Sequence, residues 1–251
     1  MRHAALVTGA AKRIGRAIAL RLAHEGYSVA IHYRRSRSDA EEVKAAIEER
    51  GGRAAIVQAD LADLAAVEGL LGKAGAALGP VTLLVNNASL FEPDEVGSIA
   101  PELWERHFAV NLRAPAFLTR DFARQLPEGE DGAVVNIVDQ RVWKLNPQFF
   151  SYTLSKAALF TATQTMAQAL APRVRVNAVG PGPTLTSSRQ SAEDFTRQGE
   201  ALPLRQHPSP QEIAEAVVFL ARAKSVTGQM LAVDGGQHLA WETPDVRAAR
   251  E

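Results

Sequence analysis

Residues 4–15 read Ala-Ala-Leu-Val-Thr-Gly-Ala-Ala-Lys-Arg-Ile-Gly, and the fold follows from how this stretch changes character. Ala4 to Val7 is a short apolar run without polar alternation, the pattern of a strand covered on both faces. Thr8-Gly9 interrupts it, and Ile14, Ala17, Ile18 and Leu22 then recur at helical spacing. A strand that turns on glycine straight into a helix brings the backbone close to a pyrophosphate, whose charge is favoured by the free N–H groups of the first helical turn.

The same alternation continues outward along the chain. Further apolar runs are Val29 to Tyr33, Ala55 to Ala59, Val81 to Val85, Val134 to Val138, Val174 to Val179 and Met230 to Val233. Between them Val43, Ala46 and Ile47, and later Ile213, Ala214, Val217 and Val218, keep helical spacing. Seven strands alternating with helices predict an α/β chain: a three-layer, doubly wound Rossmann fold with a parallel sheet and helices on both faces. No linker or repeat divides residues 1–251, so one dinucleotide-binding domain is expected. Gly180 to Ser209 reads as one long irregular loop, and a loop of that length in a compact domain usually has a task, such as covering a substrate.

Composition narrows the function. The 251 residues are 46% hydrophobic and 22% charged, ordinary for a globular protein. Lys plus Arg (28) equals Asp plus Glu (28), which leaves no broad basic field for nucleic acid or anionic lipid and confines any anion site to a local cluster. Cysteine is absent, excluding disulfides and thiolate chemistry, and the six His show no metal-ligand spacing. The apolar stretch after Met1 meets Lys12-Arg13 too early for a signal-peptide core, and no run reaches membrane-spanning length. A cytoplasmic protein acting on a small molecule is expected.

The second strand ends in His32-Tyr33-Arg34-Arg35-Ser36, without the acid that would hold a ribose 2′-hydroxyl. Arg13, Arg34, Arg35 and Ser36 can instead surround a 2′-phosphate, which guanidinium suits through its planar donors. Tyr152 and Lys156 are spaced to share a helix face. A free phenol has a pKa near 10, and a neighbouring ammonium makes its proton more labile.

These motifs resemble the short-chain dehydrogenase/reductase family. The turn is similar to its TGxxxGxG signature, with Arg13 where the middle glycine usually sits, and TGAAKRIG followed by HYRRS resembles the pteridine and dihydromonapterin reductase branch. The resemblance covers nearly the whole chain and implies NADPH as cofactor and a homotetramer as assembly. It places Gly9, Arg13, Ile14 and Gly15 at the cofactor, with His32, Tyr33, Arg34, Arg35 and Ser36 after the second strand. Asp60-Leu61 falls where relatives contact adenine, Asn87-Ala88-Ser89 in the family's NNAG-like motif, and Pro181-Gly182 beside the nicotinamide. It implies a catalytic set of Asn111, Asp139, Tyr152 and Lys156, with Lys156 also holding the nicotinamide ribose and Asn111 relaying protons. No metal is implied.

Asp139, thirteen residues before Tyr152, is a departure, since most relatives carry Ser there to donate to a substrate carbonyl. An ionised carboxylate cannot donate and would repel a developing alkoxide. A C=N bond that must gain a proton suits a carboxyl sharing protons with Tyr152, and pteridine reductases carry Asp at this position. Phe91 falls where those enzymes stack a ring on the pterin, with core filling as the alternative, and Ser89 borders the same place. Trp143 could border that pocket or pack beneath the loop. The expected activity is NADPH-dependent reduction of a dihydropterin. The alternatives are reduction of a small carbonyl compound such as a 3-oxoacyl thioester, against which Asp139 stands, and a non-catalytic NADP(H) sensor, against which intact Asn111, Tyr152 and Lys156 stand.

Overall fold

The computed structural model describes residues 3–186 and 189–242. Along the chain run β1 (Ala4–Val7), α1 (Arg13–His24), β2 (Ser28–Tyr33), α2 (Arg37–Glu48), β3 (Ala54–Gln58), α3 (Leu64–Glu68), α4 (Leu70–Leu78) and β4 (Val81–Asn86). They are followed by α5 (Pro101–Phe108), a π-helical turn (Ala109–Arg113), α6 (Ala114–Gln125), β5 (Gly132–Ile137), α7 (Phe150–Leu170), β6 (Val174–Pro181), α8 (Ala192–Glu200), α9 (Pro210–Arg222) and β7 (Met230–Val233). The strands form one seven-stranded sheet in the order β3-β2-β1-β4-β5-β6-β7, every pair parallel.

Because side chains alternate across a strand, β1 feeds two cores at once. Ala5 and Val7 pack with Ile18, Leu22, Val43, Ile213 and Val217 of α1, α2 and α9. Ala4 and Leu6 pack with Leu70, Leu118, Phe122 and Ala167 of α4, α6 and α7. That two-sided burial is why the strands read as mostly apolar runs.

The strand order reverses between β1 and β4, opening a crevice beyond their carboxyl ends where ligands of such sheets bind. The turn after β1 fills this crevice. Gly9 has a φ of +63°, in the left-handed region that costs any residue with a Cβ. A Cβ at Gly15 would lie 2.2 Å from the Gly9 carbonyl oxygen and 2.5 Å from Asn87 Nδ2. Gly15→Ala is therefore expected to lower stability by about 1–3 kcal/mol, the usual scale of overpacking, as measured by urea denaturation, and an unchanged midpoint would show that the turn can yield.

One expectation needs correction. Gly180 to Ser209 is not wholly irregular: Gly180 and Pro181 complete β6, and α8 occupies Ala192–Glu200. Helix α8 starts at a Ser191 side-chain cap on the Asp194 N–H and is mostly exposed, and Ala192 and Phe195 are its only apolar side chains, too few to mark a helix in sequence. Residues 187 and 188 of that segment lie outside the described residues. Among the described residues, no helix is long and apolar enough to cross a membrane.

Candidate active site

The crevice holds two adjoining cavities that share Arg13 and Ile14. The first, of about 400 Å³, is lined by the turn residues Gly9, Lys12, Arg13, Ile14 and Gly15, by His32 and Arg34, by Asp60 and Leu61, and by Asn87, Ala88 and Ser89. No side chain caps α1 at Lys12, so its first-turn N–H groups are available to a ligand. An electropositive helix start beside a glycine turn, with the exposed side chains of Arg34 and of Lys12, the latter paired to Asp39 at 3.0 Å, fits a dinucleotide diphosphate and an additional phosphate.

Several side chains assigned to the cofactor by sequence line this cavity and also build its cradle. His32 is buried, accepts the Gly9 N–H on Nδ1 (2.9 Å) and donates from Nε2 to the Ala59 carbonyl (3.1 Å). Burial pushes its pKa down to about 4, so it is neutral at pH 7 and pins the glycine turn to β2. Asn87 donates to the carbonyls of Thr8 (2.8 Å) and Gly9 (3.2 Å), locking the same turn from β4. Asp60 accepts the Ala62 N–H at 3.0 Å. Tyr33 is buried in the core, and Pro181 in β6.

Of the four residues expected around a 2′-phosphate, two, Arg13 and Arg34, line this cavity, whereas Arg35 and Ser36 do not. Arg13 occupies the left-handed region (φ +53°), which explains why glycine is usual at its position. Its guanidinium crosses to the segment after β6 and donates to the carbonyls of Leu185 and Thr186, each at 3.0 Å. It therefore ties the glycine turn to the wall of the second cavity.

That second cavity, of about 480 Å³, is bounded by Phe91, Asp139, Arg141, Phe149, Gly182, Thr184 and Arg189 among others. At its base Tyr152 Oη donates to Asp139 Oδ2 at 2.8 Å, and Asp139 Oδ1 accepts the Arg141 N–H at 2.9 Å. Lys156, one turn beyond Tyr152 on α7, is buried, with Nζ donating to the Ile137 carbonyl at 2.7 Å. Desolvation raises the Asp139 carboxyl above its ordinary pKa, Arg141 and Lys156 opposing it. Desolvation, reinforced by Asp139, raises the Tyr152 phenol well above 10. Lys156 is pulled down to about 8 by burial, against the attraction of Asp139.

Phe91 stacks on Phe149 (centroids 4.3 Å apart) and meets Tyr152 edge-on at 4.7 Å, forming an aromatic wall over the carboxyl–phenol pair. Asn111 sits in the π-helical turn, a distortion found disproportionately at functional sites. Its carboxamide is committed to the Leu90 N–H (2.8 Å), the Leu90 carbonyl (3.0 Å), Ser89 Oγ (3.2 Å) and Ser155 Oγ (3.0 Å). In this geometry its side chain positions the segment leading to Phe91 and does not touch Tyr152. Trp143 lies outside the pocket, against Phe160 and His238.

Sequence reading missed Asp94, His107 and Ser151. Asp94, on the loop after β4, accepts the Ser151 N–H at 3.0 Å and the Ser151 hydroxyl, capping α7, whose own Phe149 (φ +61°) offers no cap. His107 Nε2 accepts the Glu92 N–H (3.3 Å), so Nδ1 is assigned as the donor to Ser151 Oγ (2.6 Å). Burial lowers the His107 pKa and favours this neutral form. The chain locks the start of the Tyr152 helix to the loop bearing Phe91.

The family model described as enoyl-(acyl carrier protein) reductase matches residues 9–238. The FolM alternative dihydrofolate reductase 1 of Brucella canis, solved with NADP, is 56% identical, covering 97% of each chain with a TM-score of 0.95. Its Brucella suis counterpart, also with NADP, is 57% identical over 97% of this chain and 98% of its own, at 0.94. The 3-oxoacyl-(acyl-carrier-protein) reductase FabG of Staphylococcus epidermidis is 33% identical, covering 95% of this chain and 100% of its own. The chain belongs to the short-chain dehydrogenase/reductase family, as an NADP-dependent oxidoreductase similar to FolM.

Proposed function

We propose that the protein is an NADPH-dependent reductase of a dihydropterin, the chemical class that includes the dihydrofolate named in the FolM relatives. The observation that carries this reading is the 2.8 Å bond from Tyr152 to Asp139 beneath Phe91, because it replaces the neutral donor a ketone needs with a carboxyl. Reducing a C=N bond adds hydride to carbon and a proton to nitrogen. NADPH supplies the hydride when bound.

This chain's own groups bind, orient and move the proton. Phe91 offers a face for a flat ring to stack on. Tyr152 Oη delivers the proton by turning it from Asp139 Oδ2 to the ring nitrogen, and the bond to Asp139 fixes the phenol at the base of the cavity until then. Asp139, ionised, accepts a ring N–H; protonated, which its raised pKa favours, it is a second donor. Lys156 keeps positive charge beneath the phenol to offset the charge left on Tyr152. Asn111 holds the Ser89-Leu90 segment in register, and Gly9, Arg13, Ile14, Gly15, Leu61, Ala88 and Gly182 shape the binding surfaces. The same reading takes the working assembly to be a homotetramer. Exposed Leu231, Leu239 and Trp241 near the C-terminus support burial against other copies, and light scattering tests it.

NADPH is expected to be preferred over NADH by roughly 10- to 100-fold, the scale of a charge-assisted phosphate contact. Arg34→Ala should weaken NADPH and leave NADH nearly unchanged; titration of both cofactors against the variant checks it. Equal parental affinity for the two would contradict the assignment of Arg34.

A further inference from the structure

Besides the proton-transfer pair, the second cavity carries two guanidinium groups on one aromatic wall. Arg189 stands 5.4 Å from the Phe91 ring and 5.9 Å from Phe149, and it is bonded to Glu92 Oε2 at 3.0 Å and to the Phe91 carbonyl at 2.8 Å. Arg141 stands against the same rings, at 5.4 and 4.9 Å. Its Nη1 is sealed from solvent and has no hydrogen-bond partner. The neighbouring Asp139 takes the backbone N–H of Arg141.

A charged donor shut away from water without an acceptor bears the full loss of hydration, so buried polar groups are nearly always paired. Arg141 lines the cavity, so a turn of its guanidinium brings the sealed Nη1 to an acceptor carried in by a ligand. Glu92 already serves Arg189, and Asp139 is bonded to Tyr152 and to the Arg141 backbone N–H, so neither carboxylate meets Arg141 Nη1. Guanidinium matches the planar oxygens of carboxylate and phosphate better than it matches a lone hydroxyl.

We infer that Arg141 is a specificity-determining residue, donating from Nη1 to an oxyanion, carboxylate or phosphate, carried on the side chain of a heterocycle stacked against Phe91. This rests on the dihydropterin reading of the site. The reacting edge of the ring faces Tyr152 and Asp139, and its substituent runs outward along Phe149 to Arg141. Phe149 and the stem of Arg141 form the wall of that passage.

Three probes test it: dihydrofolate, with its carboxylate tail; a dihydropterin bearing a phosphate ester on its side chain; and a dihydropterin with an uncharged hydroxyalkyl side chain. Arg141→Met keeps an unbranched stem over the rings and removes the charge. It should lower kcat/KM for at least one anionic substrate by roughly 10- to 100-fold, mostly through KM. The uncharged substrate shares only the effect of the lost charge on Asp139 and Tyr152, so it should fall by a clearly smaller factor, and the ratio of anionic to uncharged kcat/KM is the quantity that tests the role. Fluorescence titration of the NADP-loaded protein should show the same split in Kd, independent of turnover, and Arg141→Lys should recover part of the loss. Loss confined to dihydrofolate identifies a carboxylate ligand, and loss confined to the phosphate ester identifies a phosphate. An equal fall for all three probes, or none for any, overturns the role of Arg141 while leaving the pterin reading intact. Failure of the parent protein to reduce any of the three overturns both.

Discussion

Tyr152→Phe is expected to reduce dihydropterin turnover by roughly 100- to 10,000-fold, the usual contribution of a positioned general acid, while NADPH binding stays near the parental value. The ring still meets Phe91 edge-on; only the transferable proton and the bond to Asp139 go. A stopped-flow trace with parental amplitude and rate would show Tyr152 to be structural. A pH dependence accompanies this role. Lys156 is charged below a pKa of about 8 and loses its proton above it, and the charge left on Tyr152 after proton delivery is then no longer offset. The rate of reduction should therefore fall as pH rises through about 8, and a kcat/KM profile flat to pH 10 would contradict it.

Asp139→Ser is expected to lower dihydropterin turnover on the order of 100-fold and to introduce measurable reduction of a simple ketone. The two halves have one cause. Serine is a neutral donor suited to a developing alkoxide, but it cannot hold a ring N–H as a carboxylate does or supply a second acidic proton. Parallel assays of the variant with a dihydropterin and a small ketone check both, and unchanged pterin turnover would remove Asp139 from the chemistry.

The parts legible in sequence share one property: their meaning lies within a few residues. Ala4 to Gly15 announces strand, turn and helix because each is encoded locally, and the pair Tyr152 and Lys156 follows from helical spacing. The seven strands were visible because burial leaves them mostly apolar, with polar exceptions such as His32, Asn136 and Asn177 held by hydrogen bonds. What stayed hidden depends on distant partners. Asp94 and Ser151 are separated by 57 positions, and nothing near Asp94 marks it as the cap of α7. Arg13 stood beside Arg34 in the charge pattern, yet its guanidinium is held by carbonyls 172 and 173 residues away. His32 read as a cofactor contact, whereas both ring nitrogens are taken by the backbone. Phe149 gave no signal, because stacking on Phe91 is a tertiary event between two loop aromatics.

The central claim is that a carboxyl–phenol pair under an aromatic wall makes this oxidoreductase act on a C=N bond. Its most direct test is spectrophotometric NADPH oxidation by the parent protein, with a dihydropterin panel set beside a panel of small ketones and 3-oxoacyl thioesters. The structure predicts that at least one dihydropterin is reduced with a kcat/KM far above that of every carbonyl compound. A carbonyl compound reduced far faster than any dihydropterin would contradict it.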